Sequence, residues 1–486
     1  MPHTAVVIGA SMAGMLAAAA LARSVDEVIV LERDELPDRP RPRKGLPQGR
    51  HAHILLPSGR DAIDELVPGG GVRKRLLAAG ARERGLTSGL VTLGPQGWYR
   101  RSRHHDTYPL LISSRDLMDW TVRDAVLAST TRIKIRHASA TGLLGTAERV
   151  TGVRVTDGGV TGGGGTGGGG TGGGGEAEET LRAELVVDAS GRGTRVEHWL
   201  ADLGISGIPK DVVDSGLVYA TRLYRTPEGA GAFPPAQVTA DPAGGRPGRS
   251  GLLLPIEGDR WLVSLSGTRG AEPTASPDDF VPFARGLRHP IVSQLIADAE
   301  PLTEVLLSRS TRNERRYFEK SKEWPEGLLA LGDAVATYNP VYGQGMSVAA
   351  LGARALGREL DRTGIGAPGL ARRAQRAAAK VVNAAWTMSV GQDQWFPEVR
   401  GKSPTIADRL LSGYTSRMAR VATGSYRVSA AMCKVTTLQA DALHLLHPAL
   451  LLSTALGPVL PPLSGPPLTP EERRILRSLS TAFDQR

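Results

Sequence analysis

Cysteine is almost absent: Cys433 stands alone in 486 residues. One thiol excludes an intramolecular disulfide framework and any cysteine-rich metal site, and it suits a reducing, cytoplasmic setting. No Gly-x-Ser-x-Gly elbow, His-Glu-x-x-His helix or paired-cysteine motif occurs, so hydrolase and metal chemistry have little support. No zinc-finger, homeodomain or RNA-recognition signature accompanies the net charge of +10. Basic residues are interspersed with acidic ones, so the charge reads as arginine-rich usage before it reads as nucleic-acid binding. An acidic carrier protein or a carboxylate substrate is the second reading. Long unbroken apolar runs are missing too. The stretch 5–22 is interrupted at Gly9 and follows no basic leader. The stretch 443–463 is broken by His447, Pro448 and Gly457. Neither fits a signal peptide or a transmembrane helix, and the second reads as a buried or surface-lying helix pair without stable membrane insertion.

What is present begins with a strand over 5–8, a tight turn, a helix over 12–23 and a strand over 28–31. Parallel strands joined by a helical crossover imply a doubly wound α/β sheet. A Pro- and Arg-rich loop (38–53) and a helix-rich passage follow, then a helix over 113–129. Strands near 133–136, 150–156 and 183–188 surround three copies of Thr-Gly-Gly-Gly-Gly at 161–175. That repeat cannot build a packed structure and is expected to be a flexible loop. From 205 to 320 the pattern changes to alternating strands (216–225, 251–258 and 260–268), an antiparallel sheet inserted as a second lobe. Beyond 347 the chain is helical. A basic, Ala-rich helix around 370–386 is expected to be a solvated amphipathic face, and 458–470 a wrapping linker.

Three strand-end turns carry the chemistry. The first is Gly9-Ala10-Ser11-Met12-Ala13-Gly14, a Gly-x-Gly-x-x-Gly pattern with Ser11 at its centre. Gly9 permits the turn, the small Ser11 lets a pyrophosphate approach, and Gly14 lets helix and strand pack closely. The next strand ends at Glu32, placed for ribose hydroxyls, with Arg33 beside the adenine. This much fits FAD and NAD alike. The second turn, LVVDASGRGTR (185–195), sets Asp188, Gly191, Gly193, Thr194 and Arg195 at another strand end. The third, LLALGDAVATYNPVYGQGMS (328–347), places the Asp333 carboxylate for a chain of hydroxyls. Gly343 and Gly345 admit a flat ring to the start of a helix whose free N–H groups favour an acceptor that becomes anionic. Nicotinamide dehydrogenases need only the first turn, so three in this order point to a flavin.

The segments RKGLPQGRHAH (43–53), QGWYR (96–100), SSRDLMDWTVR (113–123), YATRLY (219–224), PIEGDRWLVSLSGTRG (255–270) and NPVYGQGMS (339–347) resemble the flavin epoxidases of polyether polyketide biosynthesis. These belong to the squalene epoxidase and para-hydroxybenzoate hydroxylase type of FAD monooxygenase. The resemblance implies an α/β fold with a Rossmann-like FAD-binding lobe (1–60, 110–204 and 320–365). It implies an inserted antiparallel-sheet substrate lobe (61–109 and 205–319) and a C-terminal helical region (366–486). It implies that Gly9, Ser11, Met12, Ala13, Gly14, Glu32 and Arg33 hold the adenosine half. Arg43 and Lys44 are candidate phosphate ligands, and for Lys44 a solvated basic loop is the equal alternative. Arg115 and Asp333 would hold pyrophosphate and ribityl, and Gly343, Gly345 and Met346 would face the ring. One of His51 and His53 is expected to hydrogen-bond near the flavin and the other to pack at the lobe interface. His104 and His105 are expected to be solvated. Trp98, Tyr219, Trp261 and Leu265 are candidate substrate liners that could equally be core.

The implied reaction is epoxidation of a linear polyene, free or carrier-bound, before ether-ring formation. Its oxygen comes from O2 through a flavin C4a-hydroperoxide, so no catalytic side chain is required. NAD(P)H supplies electrons directly or through a partner reductase. Aromatic hydroxylation remains an alternative on the same fold. Halogenation is weaker, because the Trp-x-Trp-x-Ile-Pro motif is missing.

Overall fold

The computed structural model describes residues 3–102, 108–157 and 178–480. His104, His105 and the repeat at 161–175 lie outside them. In the strand Thr4–Ile8, Ala5 and Val7 enter one core while Val6 and Ile8 enter another, as a strand buried on both faces requires. It pairs in parallel with Glu27–Glu32 on one side and Leu185–Asp188 on the other. Ile133–Gly145 and Leu328–Ala330 extend the parallel set outward. Val150–Asp157 and Glu179–Arg182 add an antiparallel edge. Ile8 is in register with Asp188, and Asp188 with Ala330, so the three turns emerge side by side.

The helices Met12–Leu21, Arg115–Ser129 and Gly345–Thr363 cover one face of this sheet. Arg115–Ser129 starts where Ser114 Oγ accepts the Leu117 N–H, an N-cap that ends the preceding extended chain. The helices Pro57–Leu66 and Val72–Ala78 correct the boundary expected at residue 60. Their Ala62, Ile63, Leu66, Val72 and Leu76 pack into this same core, so 61–78 belongs to the first lobe.

The inserted lobe is built on Val218–Arg225, Arg249–Ile256 and Arg260–Gly267, antiparallel neighbours in a seven-stranded sheet. Its outer face carries Trp261, Val263 and Leu265 against Phe280, Ile291 and Leu295 of two short helices. Its inner face carries Thr221, Leu262 and Ser264. A four-stranded sheet that includes Lys210–Asp214, Asn313–Arg316 and Ala336–Thr337 joins the lobes.

The helix Leu370–Asp393 is amphipathic but not merely solvated. Ala374, Ala378, Ala385 and Trp386 are core. Gln375 Oε1 accepts the Ala330 N–H at 2.9 Å and its Nε2 donates to the Ala330 carbonyl at 3.2 Å, closing the free edge of the parallel sheet. Four further α-helices follow among the described residues, and 457–469 crosses back, with Arg100 Nη2 donating to the Pro461 carbonyl at 2.9 Å. The apolar helix Pro448–Leu456 lies on the surface with Leu452 and Leu456 exposed. No helix among the described residues is long and apolar enough to cross a membrane.

Candidate cofactor site

The first turn is closed by sterics. Gly9 has φ 99° and donates its N–H to the Leu31 carbonyl at 2.8 Å. A Cβ there would stand 2.7 Å from the Ala189 carbonyl oxygen, so the first and second turns touch at this point. A Cβ on Gly14 would lie 1.8 Å from the Gly9 oxygen, which is why the helix can sit so low on the turn. Ser11 holds the N-cap position in extended conformation, and its side chain makes no capping bond. The positive end of the helix thus faces the turn. Met12 and Ala13 are buried beneath, so they can offer a ligand only backbone.

Beside it, four charges alternate. Glu32 Oε2 accepts the Ala10 N–H at 2.9 Å and Arg43 Nη1 at 3.3 Å. Arg43 Nη2 reaches Asp119 Oδ2 at 3.4 Å, and Arg115 Nε donates to Asp119 Oδ1 at 2.9 Å. All four side chains are at most about one-tenth exposed, so each cation is matched by a carboxylate as burial demands. Asp119 is a site residue that the sequence reading missed. Its spacing four residues after Arg115 on a helix was the available signal. Lys44 corrects an expectation: it is exposed and outside this network, because the loop turns its neighbour Arg43 inward. Arg33 is also exposed, and its carbonyl accepts from His137 at 2.9 Å.

In the second turn Asp188 is fully buried and accepts Ser190 N–H at 3.0 Å and the Thr194 hydroxyl, tying the turn to itself. Asp333, at the third turn, lies 3.8 Å from Arg192 Nε. Burial raises the Asp333 carboxyl above its ordinary range, and Arg192 and Arg115 pull it back. Arg115 is therefore shared between Asp119 and the field at Asp333.

At the far end the loop from Tyr338 leads into the helix Gly345–Thr363. A Cβ on Gly343 or Gly345 would meet nothing within 4 Å, so a planar group could lie against this backbone. Met346 corrects another expectation. Its side chain is buried in the first lobe's core, leaving only its backbone at the helix start.

Opposite stands the inner face of the second sheet. His51 Nδ1 is 2.8 Å from Thr221 Oγ1, which is 2.7 Å from Ser264 Oγ, and Ser264 Oγ takes the Ala52 N–H at 3.2 Å. Burial lowers the His51 pKa to about 4. His53 bonds the Gln48 carbonyl at 2.8 Å, and burial, with Arg115 nearby, lowers its pKa to about 3. Both imidazoles are neutral at pH 7. The Tyr219 ring lies 5.9 Å from that of His51, and its hydroxyl donates to Asn339 Oδ1 at 3.4 Å.

Of the four candidate liners, Tyr219 alone faces this space. Trp261 and Leu265 alternate with Leu262 and Ser264 and so point to the outer core, and Trp98 packs edge-on against His289 at the far side of that core. These three are corrected to core. Among the described residues no group of His, Cys, Asp and Glu could hold a metal.

The arrangement offers, in order, a carboxylate for vicinal hydroxyls, a side-chain-free helix start for a diphosphate, Arg115 for its charge, Asp333 for a polyol, and open backbone at Gly343–Gly345 for a ring. These are the parts of FAD in sequence, so the residues fit that cofactor.

The fold is that of flavin-dependent monooxygenases and halogenases. A flavoprotein/dehydrogenase from Cytophaga hutchinsonii aligns with a TM-score of 0.60, covering 99% of this chain and 100% of that one at 13% identity. The p-nitrophenol 4-monooxygenase of Pseudomonas putida DLL-E4 aligns at 0.58, with 15% identity over 90% and 99%. The flavin-dependent halogenase CmlS aligns at 0.60, with 16% identity over 90% and 78%. Such identities establish fold alone. No family model matches the chain. In sequence the chain is 32% identical over 389 residues to Protein Rv3254 of Mycobacterium tuberculosis (strain ATCC 25618 / H37Rv), 79% of each chain. The protein belongs to the family of Protein Rv3254.

Proposed function

We propose that the protein is an FAD-dependent monooxygenase that epoxidises alkenes of a linear polyene polyketide, free or carrier-bound, ahead of polyether ring formation. The observation that supports the flavin part of the reading is the placement of Glu32, Asp333 and the Gly343–Gly345 backbone at and beyond the ends of neighbouring parallel strands, with Arg115 beside them, and the epoxidation rests on the resemblance of the quoted segments. A buried, uncharged sheet face stands across from its end. When bound, reduced FAD supplies activated oxygen from O2.

The chain's own residues bind, orient and exclude water. Glu32 accepts ribose hydroxyls, and the Ser11–Gly14 helix start and Arg115 take the diphosphate. Asp333 accepts from the ribityl chain, and the amides at the start of Gly345–Thr363 stabilise negative charge on the reduced ring. Tyr219, Thr221, Ser264 and neutral His51 form the wall that an alkene would meet. No side chain need act as nucleophile or acid–base catalyst, and none is placed as one. Electrons come from NAD(P)H, directly or through a partner reductase.

The test begins with purified protein. It should be yellow and release FAD on denaturation. With NAD(P)H, with and without a flavin reductase, ¹⁸O₂ should label a polyene ester as its epoxide. Protein with no affinity for FAD overturns the whole reading, and a polyene ester left unlabelled while an aromatic substrate offered in parallel gains ¹⁸O as a ring hydroxyl replaces epoxidation with aromatic hydroxylation. Asp333→Ala should weaken FAD binding by about 1–3 kcal/mol through loss of a charge-assisted hydrogen bond. Unchanged affinity removes Asp333 from the site.

A further inference from the structure

The helix Leu370–Asp393 ends on a carboxylate where its surroundings disfavour one. Asp393 is 1% exposed. It occupies the last position of a 24-residue helix, where the helix dipole is negative. Burial and the like charge of Asp214 both act against its ionised form. Among the described residues it forms no ion pair, so no cation offsets these costs.

What surrounds it instead is a set of neutral donors. Asn313 Nδ2 donates at 2.7 Å, Tyr342 Oη at 2.7 Å, and Asn339 Nδ2 to both carboxylate oxygens at 3.0 and 2.9 Å. Two of the three donors sit on the loop that leads to Gly343 and Gly345. Asn339 is then used on every side. Its N–H donates to Asn313 Oδ1 at 2.8 Å, and its own Oδ1 accepts the Val341 N–H at 3.0 Å and the Tyr219 hydroxyl at 3.4 Å. One carboxylate, at the end of the helix that covers the sheet edge, therefore sets the amide orientation of Asn339. Through Asn339 it reaches the turn at Val341 on one side and the substrate-facing Tyr219 on the other.

Resting on the flavin reading, we propose that Asp393 is the positioning residue that holds residues 339–345 as the seat of the flavin ring and aligns Tyr219 with it. Hydrogen-bond polarity fixes the arrangement. A carboxylate only accepts, so all three donors must turn toward it. An asparagine of the same shape would present its own NH2 to one of them. Relief would come by rotating the Asn339 amide, which would put a donor against the Val341 N–H and force the Tyr219 hydroxyl to accept where it now donates.

The test compares Asp393→Asn and Tyr342→Phe with Trp386→Leu. The last loosens the same helix in the core and leaves every hydrogen bond to Asp393 in place. For each protein, far-UV circular dichroism and apoprotein Tm report the fold. Quenching of flavin fluorescence gives the FAD Kd, and the visible band shape and reduction potential report the ring's surroundings. Asp393→Asn should keep its secondary structure, raise the FAD Kd at least tenfold and alter the band shape. Tyr342→Phe, which removes one donor and spares the carboxylate, should raise Kd about threefold. Trp386→Leu should lower Tm and leave Kd and spectrum unchanged. If Asp393→Asn binds FAD as wild type does, or loses affinity only as Trp386→Leu does at equal loss of Tm, the positioning role is wrong. Wild-type protein that binds no FAD overturns this proposal together with the flavin reading.

Discussion

Acid should weaken this protein through its buried histidines, and for His51 the size of the effect follows from where that ring lies. His51 is 8% exposed, wedged between the first lobe and the inner face of the second sheet, with Thr221 Oγ1 at 2.8 Å. Burial lowers its pKa from 6.5 to about 4. The folded value is below the unfolded one, so between these pH values the unfolded chain takes up a proton that the folded chain refuses. The stabilisation is fully present above pH 6.5, declines as pH falls, and is lost by about pH 4. That interval corresponds to about 3 kcal/mol in all, and about 2 kcal/mol of it is gone at pH 5. His53, lowered to about 3, adds in the same direction. The assay has two arms. NMR of ¹³C-histidine-labelled protein, with the His51 signal assigned by its disappearance in His51→Gln, reads the titration directly. Urea unfolding of apoprotein at pH 7.5 and pH 5.0 reads the linkage, and wild type should lose about 2 kcal/mol more than His51→Gln. A His51 signal that titrates near 6.5, or equal losses in both proteins, refutes the reasoning.

Gly14→Ala places a methyl 1.8 Å from the Gly9 carbonyl and should cost at least about 2 kcal/mol in urea unfolding, and wild-type stability would show that the turn is not built as described. Tyr219→Phe should change substrate KM while costing no more than about 1.5 kcal/mol of stability, whereas Trp261→Leu should cost about 3 kcal/mol and leave KM within twofold. The reverse pattern in that pair would put Trp261 back at the substrate face. Glu179 pairs with Val155, so the strands on either side of the Gly-rich segment are paired with each other. Replacing 161–175 with a five-residue linker should therefore change stability by no more than about 1 kcal/mol, and a larger loss would mean that the segment packs.

The sequence by itself determined the βαβ opening, the three turns and their order, and hence the cofactor they suit. These are local facts. A glycine that must accept φ 99°, or a backbone approach that leaves no room for Cβ, restricts the residue type at one position. The acid at the end of a strand is read from the strand itself. Period-2 alternation likewise announced the strands of the inserted sheet.

Only the tertiary structure decided which way things face. Alternation places Trp261 and Leu265 on one side of a strand and Ser264 on the other, but is silent on which side meets the first lobe. Arg43 and Lys44 are equivalent by composition, and the path of a loop turns one inward and the other to solvent. The helices at 57–78 joined the first lobe because their apolar stripes fit its core. Asp393 lies 54 residues from Asn339 and 80 from Asn313 in the chain, beyond any motif, and it meets them because Leu370–Asp393 packs along the sheet that supports the loop. Backbone restrictions are written residue by residue, whereas the choice of partner across a core depends on how whole elements pack, and that is a property of the assembled fold.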